Sequence, residues 1–97
     1  MESYSFKFGR KGSYKVEFRP VMHTKESEPF AWHTQVDDLK FVIRLEKIED
    51  KPKYSVGVAY PGSNEYVMLQ KKVSTFERAV GETHKELGRF VTGLVVE

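Results

Sequence analysis

Histidine and carboxylate side chains, the types that bind zinc and harder cations, are concentrated between residues 23 and 33. The set consists of His23, Glu26, Glu28 and His33. Its spacing matches no compact metal site, and the strand alternation described below directs His33 outward. We therefore expect a solvated loop here and no bound metal. His84 lies at the margin of an apolar helical stripe, where a histidine ordinarily borders the core.

Patterns that would support catalysis are weak. Asp37 and Asp38 are adjacent carboxylates that would suit acid–base work, but a tight turn explains them without chemistry. No serine lies in a strand-to-helix elbow between glycines, and the chain has no cysteine to serve as a nucleophile or to form a disulfide. The GRKG segment (9–12) offers amides and cations to a phosphate, but the rest of a nucleotide-binding loop is missing. We expect no enzyme activity and no cofactor.

Basic residues near the start of the chain are the main candidates for a binding surface. Residues 1–25 hold six basic and two acidic side chains, a net charge of +4, whereas residues 26–38 hold four acidic and no basic ones. This uneven distribution of charge is stronger evidence for a charged partner than the total net charge of +2 is. A solvated face of mixed charge explains the same residues equally well. The candidate anion-binding residues are Lys7, Arg10, Lys11, Lys15 and Arg19.

The elements that must position these side chains follow from the apolar pattern. Apolar and polar residues alternate in six stretches, which predicts strands. From Ser74, which forms an S-x-x-E capping box with Glu77, apolar residues recur at helical spacing. A stop at Gly88, followed by a strand, is the alternative. The predicted elements are strands 4–9, 13–20, 30–36, 39–48, 53–60 and 65–72 and a helix over 74–92.

The turns between the strands predict how they pair. We expect a three-residue loop at 10–12, a two-residue turn at Asp37-Asp38 and four-residue loops at 49–52 and 61–64. All of these turns place the large apolar residues on one face of the sheet. Phe18 and Trp32 share that face. The expected pairs are Tyr4–Phe18, Phe6–Val16, Phe8–Tyr14, Lys7–Lys15, Trp32–Ile43, Phe30–Leu45, Leu45–Val56, Ile43–Val58, Val58–Val67 and Val56–Leu69.

The predicted fold is therefore α+β, a six-stranded antiparallel meander curled over one C-terminal helix, in a single domain spanning 1–97. No apolar run approaches the roughly 18 residues of a membrane span, and MESYSFKF lacks the apolar core of a signal peptide. The absence of cysteine fits a reducing cytoplasm. We expect a cytoplasmic protein that does not contact a membrane.

The outer face of the sheet, turned away from the helix, offers a second candidate surface. The central strand leaves only the small residues Ser55, Gly57 and Ala59 on that side, so another molecule can come close. Arg44 and Tyr66 flank this strip, and planar side chains of these types stack on nucleobases. Packing against a second subunit or a second layer explains the strip equally well.

The segment KPKYSVGVAYPGSNEYVMLQKKVSTFERAVGETHKEL (51–87) runs strand, turn, strand and capped helix. In this order of elements, residues 39–90 resemble the Whirly and positive-cofactor group of single-stranded-DNA-binding transcription proteins. The resemblance implies a sheet curled against a C-terminal helix, a homodimer, and binding of unpaired strands across basic and aromatic strand surfaces. A pleckstrin-homology-like half-barrel is another architecture with this order.

Together these observations favour a non-enzymatic module that binds single-stranded DNA or RNA, DNA in preference, as a homodimer. The hairpin cations would contact phosphates, and Arg44 and Tyr66 would stack on bases. The alternative is a protein-interaction module, an inhibitor or adaptor, that uses the acidic 26–38 segment or the outer sheet face.

Overall fold

A computed structural model describes residues 2–22 and 28–95 of the chain. The strands are β1 (Glu2–Lys7), β2 (Ser13–Met22), β3 (Pro29–Val36), β4 (Leu39–Ile48), β5 (Lys51–Ala59) and β6 (Val67–Val73), and the helix is α1 (Phe76–Val95). The six strands form one antiparallel sheet in chain order. The predicted α+β meander with a single C-terminal helix is confirmed.

The core lies between the inner face of the sheet and α1. Strand side chains such as Phe18, Phe41 and Ile43 are completely buried there. They pack against one stripe of the helix, where buried residues recur at intervals of three or four. The helical stripe consists of Ala79, Val80, Thr83, Leu87 and Val91. Neither layer can bury its apolar side alone, so sheet and helix stabilise each other.

Two of the predicted hairpin registers are confirmed. Asp37 and Asp38 form a two-residue turn in which Asp37 has a φ of 53°, and Trp32 lies opposite Ile43. Val58 lies opposite Val67. Farther along, β6 bulges over residues 69–71, because Gly57 pairs with Met68 while Ser55 pairs with Lys72. The bulge occupies the place where Leu69 was expected to pair with Val56.

Two other registers were wrong by two residues. Phe6 lies opposite Tyr14 rather than Val16, because a five-residue connection closes this hairpin. Its short 3₁₀ turn, Gly9–Lys11, is held by a bond from the Phe8 amide to the Gly12 carbonyl at 3.0 Å. As a result Lys15 lies opposite Ser5, and the expected Lys7–Lys15 pair was wrong. The other pairs expected here, Tyr4–Phe18 and Phe8–Tyr14, were wrong for the same reason.

The β4–β5 hairpin shows the same kind of error. Ile43 pairs with Val56, and Leu45 with Tyr54. Glu49 and Asp50 have φ values of 53° and 63°, the signature of a two-residue turn where four loop residues were expected. A shift of two residues leaves every side chain on its predicted face, because side chains alternate with a period of two.

The predicted helix start was wrong by one residue. The Arg78 amide donates a hydrogen bond to Thr75 Oγ1 at 3.2 Å, so Thr75, not Ser74, is the N-cap. The alternative stop at Gly88 was also wrong, since α1 continues to Val95. A Cβ at position 88 would lie 3.0 Å from the Phe8 ring, so Gly88 allows the first hairpin to pack closely on the helix. No helix among the described residues has the length and apolar character needed to cross a bilayer.

Candidate functional site

A cleft of about 410 Å³ lies on the outer face of the sheet, across β2, β3 and β4. The strand registers explain its composition: Arg19 of β2 lies opposite His33 of β3, and Gln35 of β3 lies opposite Lys40 of β4. Tyr66, immediately before β6, completes it. We call this the outer cleft; it is lined by Lys15, Glu17, Arg19, His33, Thr34, Gln35, Lys40 and Tyr66.

The outer cleft carries an excess of positive charge. Lys15, Arg19 and Lys40 contribute three cations, and among the described lining residues Glu17 is the single acidic side chain. Lys15 Nζ lies 3.3 Å from Glu17 Oε1, but both side chains are well exposed, at 76% and 39%. Such a surface pair contributes little and exchanges its partner readily. Among residues 2–22 and 28–95, Arg19 and Lys40 form no ion pair, so both are available to an anion.

Two aromatic rings lie beside these cations. The rings of His33 and Tyr66 meet edge to face, with centroids 5.9 Å apart. His33 Nδ1 and Tyr66 Oη are 3.4 Å apart, which is long for a hydrogen bond. Tyr66 remains half-buried and His33 exposed. The cleft thus joins planar rings to charged groups, the combination used to bind unpaired nucleic acid.

The central strip of the outer face is filled rather than open. Ala59, Val42 and Ser55 are all buried. A Cβ on Gly57 would lie 2.5 Å from Met68 Sδ and 2.9 Å from Val42 Cγ1, so the Met68 side chain crosses directly over the glycine. The expectation of a shallow strip open to a ligand was wrong. The small residues instead admit Met68.

The predicted binding residues are distributed over several places. Lys15, Arg19 and Tyr66 meet in the outer cleft. Arg44 is on the same face, but it pairs with Ala31 and Ser55 and does not line the cleft. Lys7 ends β1, and Arg10 lies in the 3₁₀ turn; both are exposed outside the cleft. The Lys11 side chain lies outside the described part of the structure.

Sequence reasoning missed Lys40 and His33 as members of this site. Both are directed to the outer face by the same alternation that identified Lys15 and Arg19. The β3–β4 register that brings Lys40 beside Gln35 was also predictable from the Asp37-Asp38 turn. His33 was considered only as a metal ligand. The sequence therefore contains the signal: alternation in β2, β3 and β4 places Arg19, His33 and Lys40 on one face of the sheet.

The two histidines that the structure describes, His33 and His84, show no arrangement that binds a metal. His23 and Glu26 lie outside the described residues. Within the ranges that the structure describes, no group of three or more histidine, cysteine, aspartate or glutamate side chains is placed to bind a metal ion. His84 stacks on Phe6 with centroids 4.7 Å apart, and its Nε2 lies 3.4 Å from the Lys7 carbonyl. His84 thus contributes to packing between β1 and α1.

Comparison of the chain with protein-family models, with curated proteins and with solved structures finds no match. The function must therefore be argued from the outer cleft itself.

Proposed function

We propose that this protein is a non-enzymatic module that binds single-stranded nucleic acid, DNA in preference, across the outer face of its sheet, and that it acts as a homodimer. The observation that carries the proposal is the outer cleft, where Lys15, Arg19 and Lys40 surround the ring pair of His33 and Tyr66.

The three cations suit a phosphate backbone. Lys15 and Arg19 lie on the same side of β2, about 13 Å apart along the strand at roughly 3.3 Å per residue. Lys40 reaches the cleft from β4. Cations spread over such a distance suit an extended chain of anions better than one small anion. Their contacts would release counterions, which makes the affinity depend on salt.

The ring pair favours unpaired bases over a duplex. A base stacks on an aromatic side chain only when its face is free, and a duplex hides those faces. Tyr66 is partly exposed, and its ring packs edge to face against His33, so part of its ordering cost is already met when a base stacks on it. Stacking of this kind is tolerant of sequence, so we expect weak base preference.

The direct test compares two variants with the same change in charge. In the first, Lys15, Arg19 and Lys40 are changed to glutamine. In the second, the exposed residues Lys47, Lys51 and Arg78, none of which lines the outer cleft, are changed to glutamine. Binding is measured by fluorescence anisotropy with labelled single-stranded and duplex oligonucleotides of one sequence.

We expect the wild-type protein to bind the single strand more tightly than the duplex. The cleft variant should lose about tenfold or more in affinity, and the control variant much less, because only the former removes direct phosphate contacts. Equal losses in the two variants would mean that overall charge, not the cleft, attracts the nucleic acid. A titration with single-stranded RNA of the same sequence tests the expected preference for DNA.

A protein-interaction function is the second candidate, and a different feature supports it. Met22, Phe30 and Ile48 are 47%, 37% and 45% exposed, and they lie at the end of the sheet where β2 and β4 end and β3 begins. Exposed apolar side chains grouped in this way typically mark protein contacts. The acidic residues support it less, because Glu28 and the Asp37-Asp38 turn lie at opposite ends of β3.

The same apolar end is our candidate contact for the homodimer. Changing Met22 and Ile48 to serine is expected to shift the protein toward monomer in sedimentation velocity. Nucleic-acid affinity per protomer should stay unchanged, because neither residue lines the outer cleft. A dimer that persists in this variant would exclude this contact.

A further inference from the structure

A second cavity, of about 200 Å³, lies on the inner face of the sheet, where β1 and β3 meet the first turn of α1. It is lined by Tyr4, Trp32, Phe76 and Glu77. We call it the aromatic cavity. Its volume is below the roughly 300–1,000 Å³ typical of sites for drug-sized ligands, so it suits a small chemical group.

The rings around the aromatic cavity are inclined to one another rather than stacked. Trp32 and Phe76 have centroids 4.7 Å apart and planes at 57°, and Tyr4 and Phe76 have centroids 6.4 Å apart and planes at 40°. All three residues are only partly buried. Rings inclined in this way leave a wedge of space beside them, whereas parallel stacked rings would close it.

The fourth residue that lines the aromatic cavity is acidic. Glu77 is exposed in the first turn of α1 and forms no ion pair with any residue in the described ranges. Ring faces carry negative electrostatic potential, so the aromatic rings and the acidic residue both favour a cation. A compact anion would be repelled, and a neutral apolar group would gain nothing from Glu77.

From this combination we propose that the aromatic cavity binds a methylated or quaternary ammonium group. Such a group has an apolar surface that fits between aromatic rings and a diffuse positive charge that attracts their faces. Its charge would also interact with Glu77, while its methyl groups lower the desolvation cost below that of a bare ammonium ion.

This proposal is independent of nucleic-acid binding. Trp32 and His33 are adjacent in β3, so their side chains leave opposite faces of the sheet. The aromatic cavity is on the face that α1 covers, and the outer cleft is on the other. Either site can therefore fail its test without affecting the other.

Trp32 is the only tryptophan of the chain, so its fluorescence reports directly on the aromatic cavity. Choline chloride is titrated at constant ionic strength, with sodium chloride making up the difference, while tryptophan emission is recorded. The comparison ligand is the uncharged isostere of choline, in which a tert-butyl group replaces trimethylammonium. We expect a saturable change with choline and at least about tenfold weaker binding of the isostere. Equal binding of the two would show a merely apolar cavity and overturn the proposal.

Two glutamate variants test the carboxylate without disturbing the core. Glu77→Gln is expected to weaken choline binding by about fivefold or more, since it removes the negative charge of a residue that lines the cavity. Glu65→Gln, an equal change in an exposed loop, should leave it unchanged. Equal effects of the two changes, or no saturable signal in the wild-type protein, would overturn the proposal.

A last comparison identifies the source of the group. A short peptide that carries trimethyllysine is titrated beside its unmethylated form and beside choline. If the methylated peptide binds more tightly than choline, the natural ligand is a modified protein segment. Equal affinity for the two indicates a small free cation. The unmethylated peptide should bind weakly; binding as tight as that of the methylated form would contradict recognition of the methyl groups.

Discussion

Tyr66 combines the two properties that the outer cleft requires of a stacking residue. Its ring packs edge to face against His33, and it remains partly exposed. It precedes β6 directly, so the strand anchors its backbone. A ring that is already ordered loses little entropy when a base stacks on it.

We therefore expect Tyr66→Ala to cost about 1–3 kcal/mol of binding free energy with single-stranded DNA. Tyr66→Phe should retain most of the affinity, because the ring is kept and only the hydrogen bond to His33 is lost. Titrations of the three proteins at one salt concentration give the comparison. If the phenylalanine variant binds as poorly as the alanine variant, the hydroxyl, and not stacking, accounts for the role of Tyr66.

The helix start gives a second prediction at the scale of single residues. Thr75 Oγ1 accepts a hydrogen bond from the Arg78 amide, which would otherwise lack a partner at this helix end. Thr75→Ala should lower the free energy of unfolding by about 1 kcal/mol. Ser74→Ala, at the neighbouring exposed position, should be nearly neutral. Urea unfolding measures the free energy of unfolding of both variants. A larger loss in Ser74→Ala than in Thr75→Ala would mean that Ser74 is the N-cap.

At the scale of elements, the contact between β5 and β6 depends on Gly57, which has no side chain. A Cβ at position 57 would lie 2.5 Å from Met68 Sδ, and the facing Val42 leaves no space on the other side. Met68 therefore seals the outer face over Gly57. The flexible thioether lets Met68 adapt to this irregular gap.

Gly57→Ala is expected to destabilise the protein by about 1–3 kcal/mol, the usual cost of overpacking. Met68→Ala in the same chain should recover part of this loss, because it removes the atom that the new Cβ meets first. A double-mutant cycle by urea unfolding gives the coupling energy. Strictly additive effects would mean that Met68 does not lie over Gly57.

The same elements show how far the fold was predictable from the sequence. Face assignment succeeded because alternation with a period of two does not depend on knowing where a turn begins. The pairing register failed at the β4–β5 hairpin, because Glu49 and Asp50 adopt positive φ values that non-glycine residues rarely take. The length of a turn depends on the φ values of its residues, whereas the alternation of side chains along a strand does not.

The site was less predictable than the fold. Lys15, Arg19 and Tyr66 were identified from their residue types and faces, but their convergence with Lys40 and His33 depends on how three strands lie side by side. Arg44 was expected at the same site, yet its partners Ala31 and Ser55 place it outside the cleft. The sequence specifies the face, whereas the curvature of the sheet decides which side chains on that face meet.

At the scale of the whole molecule, the two faces of one sheet carry different kinds of side chains. The inner face meets α1 and holds the core and the aromatic cavity, while the outer face holds the cations of the outer cleft. β3 contributes to both. In the proposed complex, the basic residues outside the cleft, such as Lys7 and Arg10, would add to the general field that attracts an anion.

The salt dependence of single-strand binding tests the central claim most directly. Three phosphate contacts, from Lys15, Arg19 and Lys40, predict a slope of about −2 when log K is plotted against log salt, at about −0.7 per contact. The glutamine variant of these three residues should bind with a slope near zero. The control variant of Lys47, Lys51 and Arg78 should keep the wild-type slope. A wild-type slope near zero, or equal flattening in both variants, would contradict nucleic-acid binding in the outer cleft.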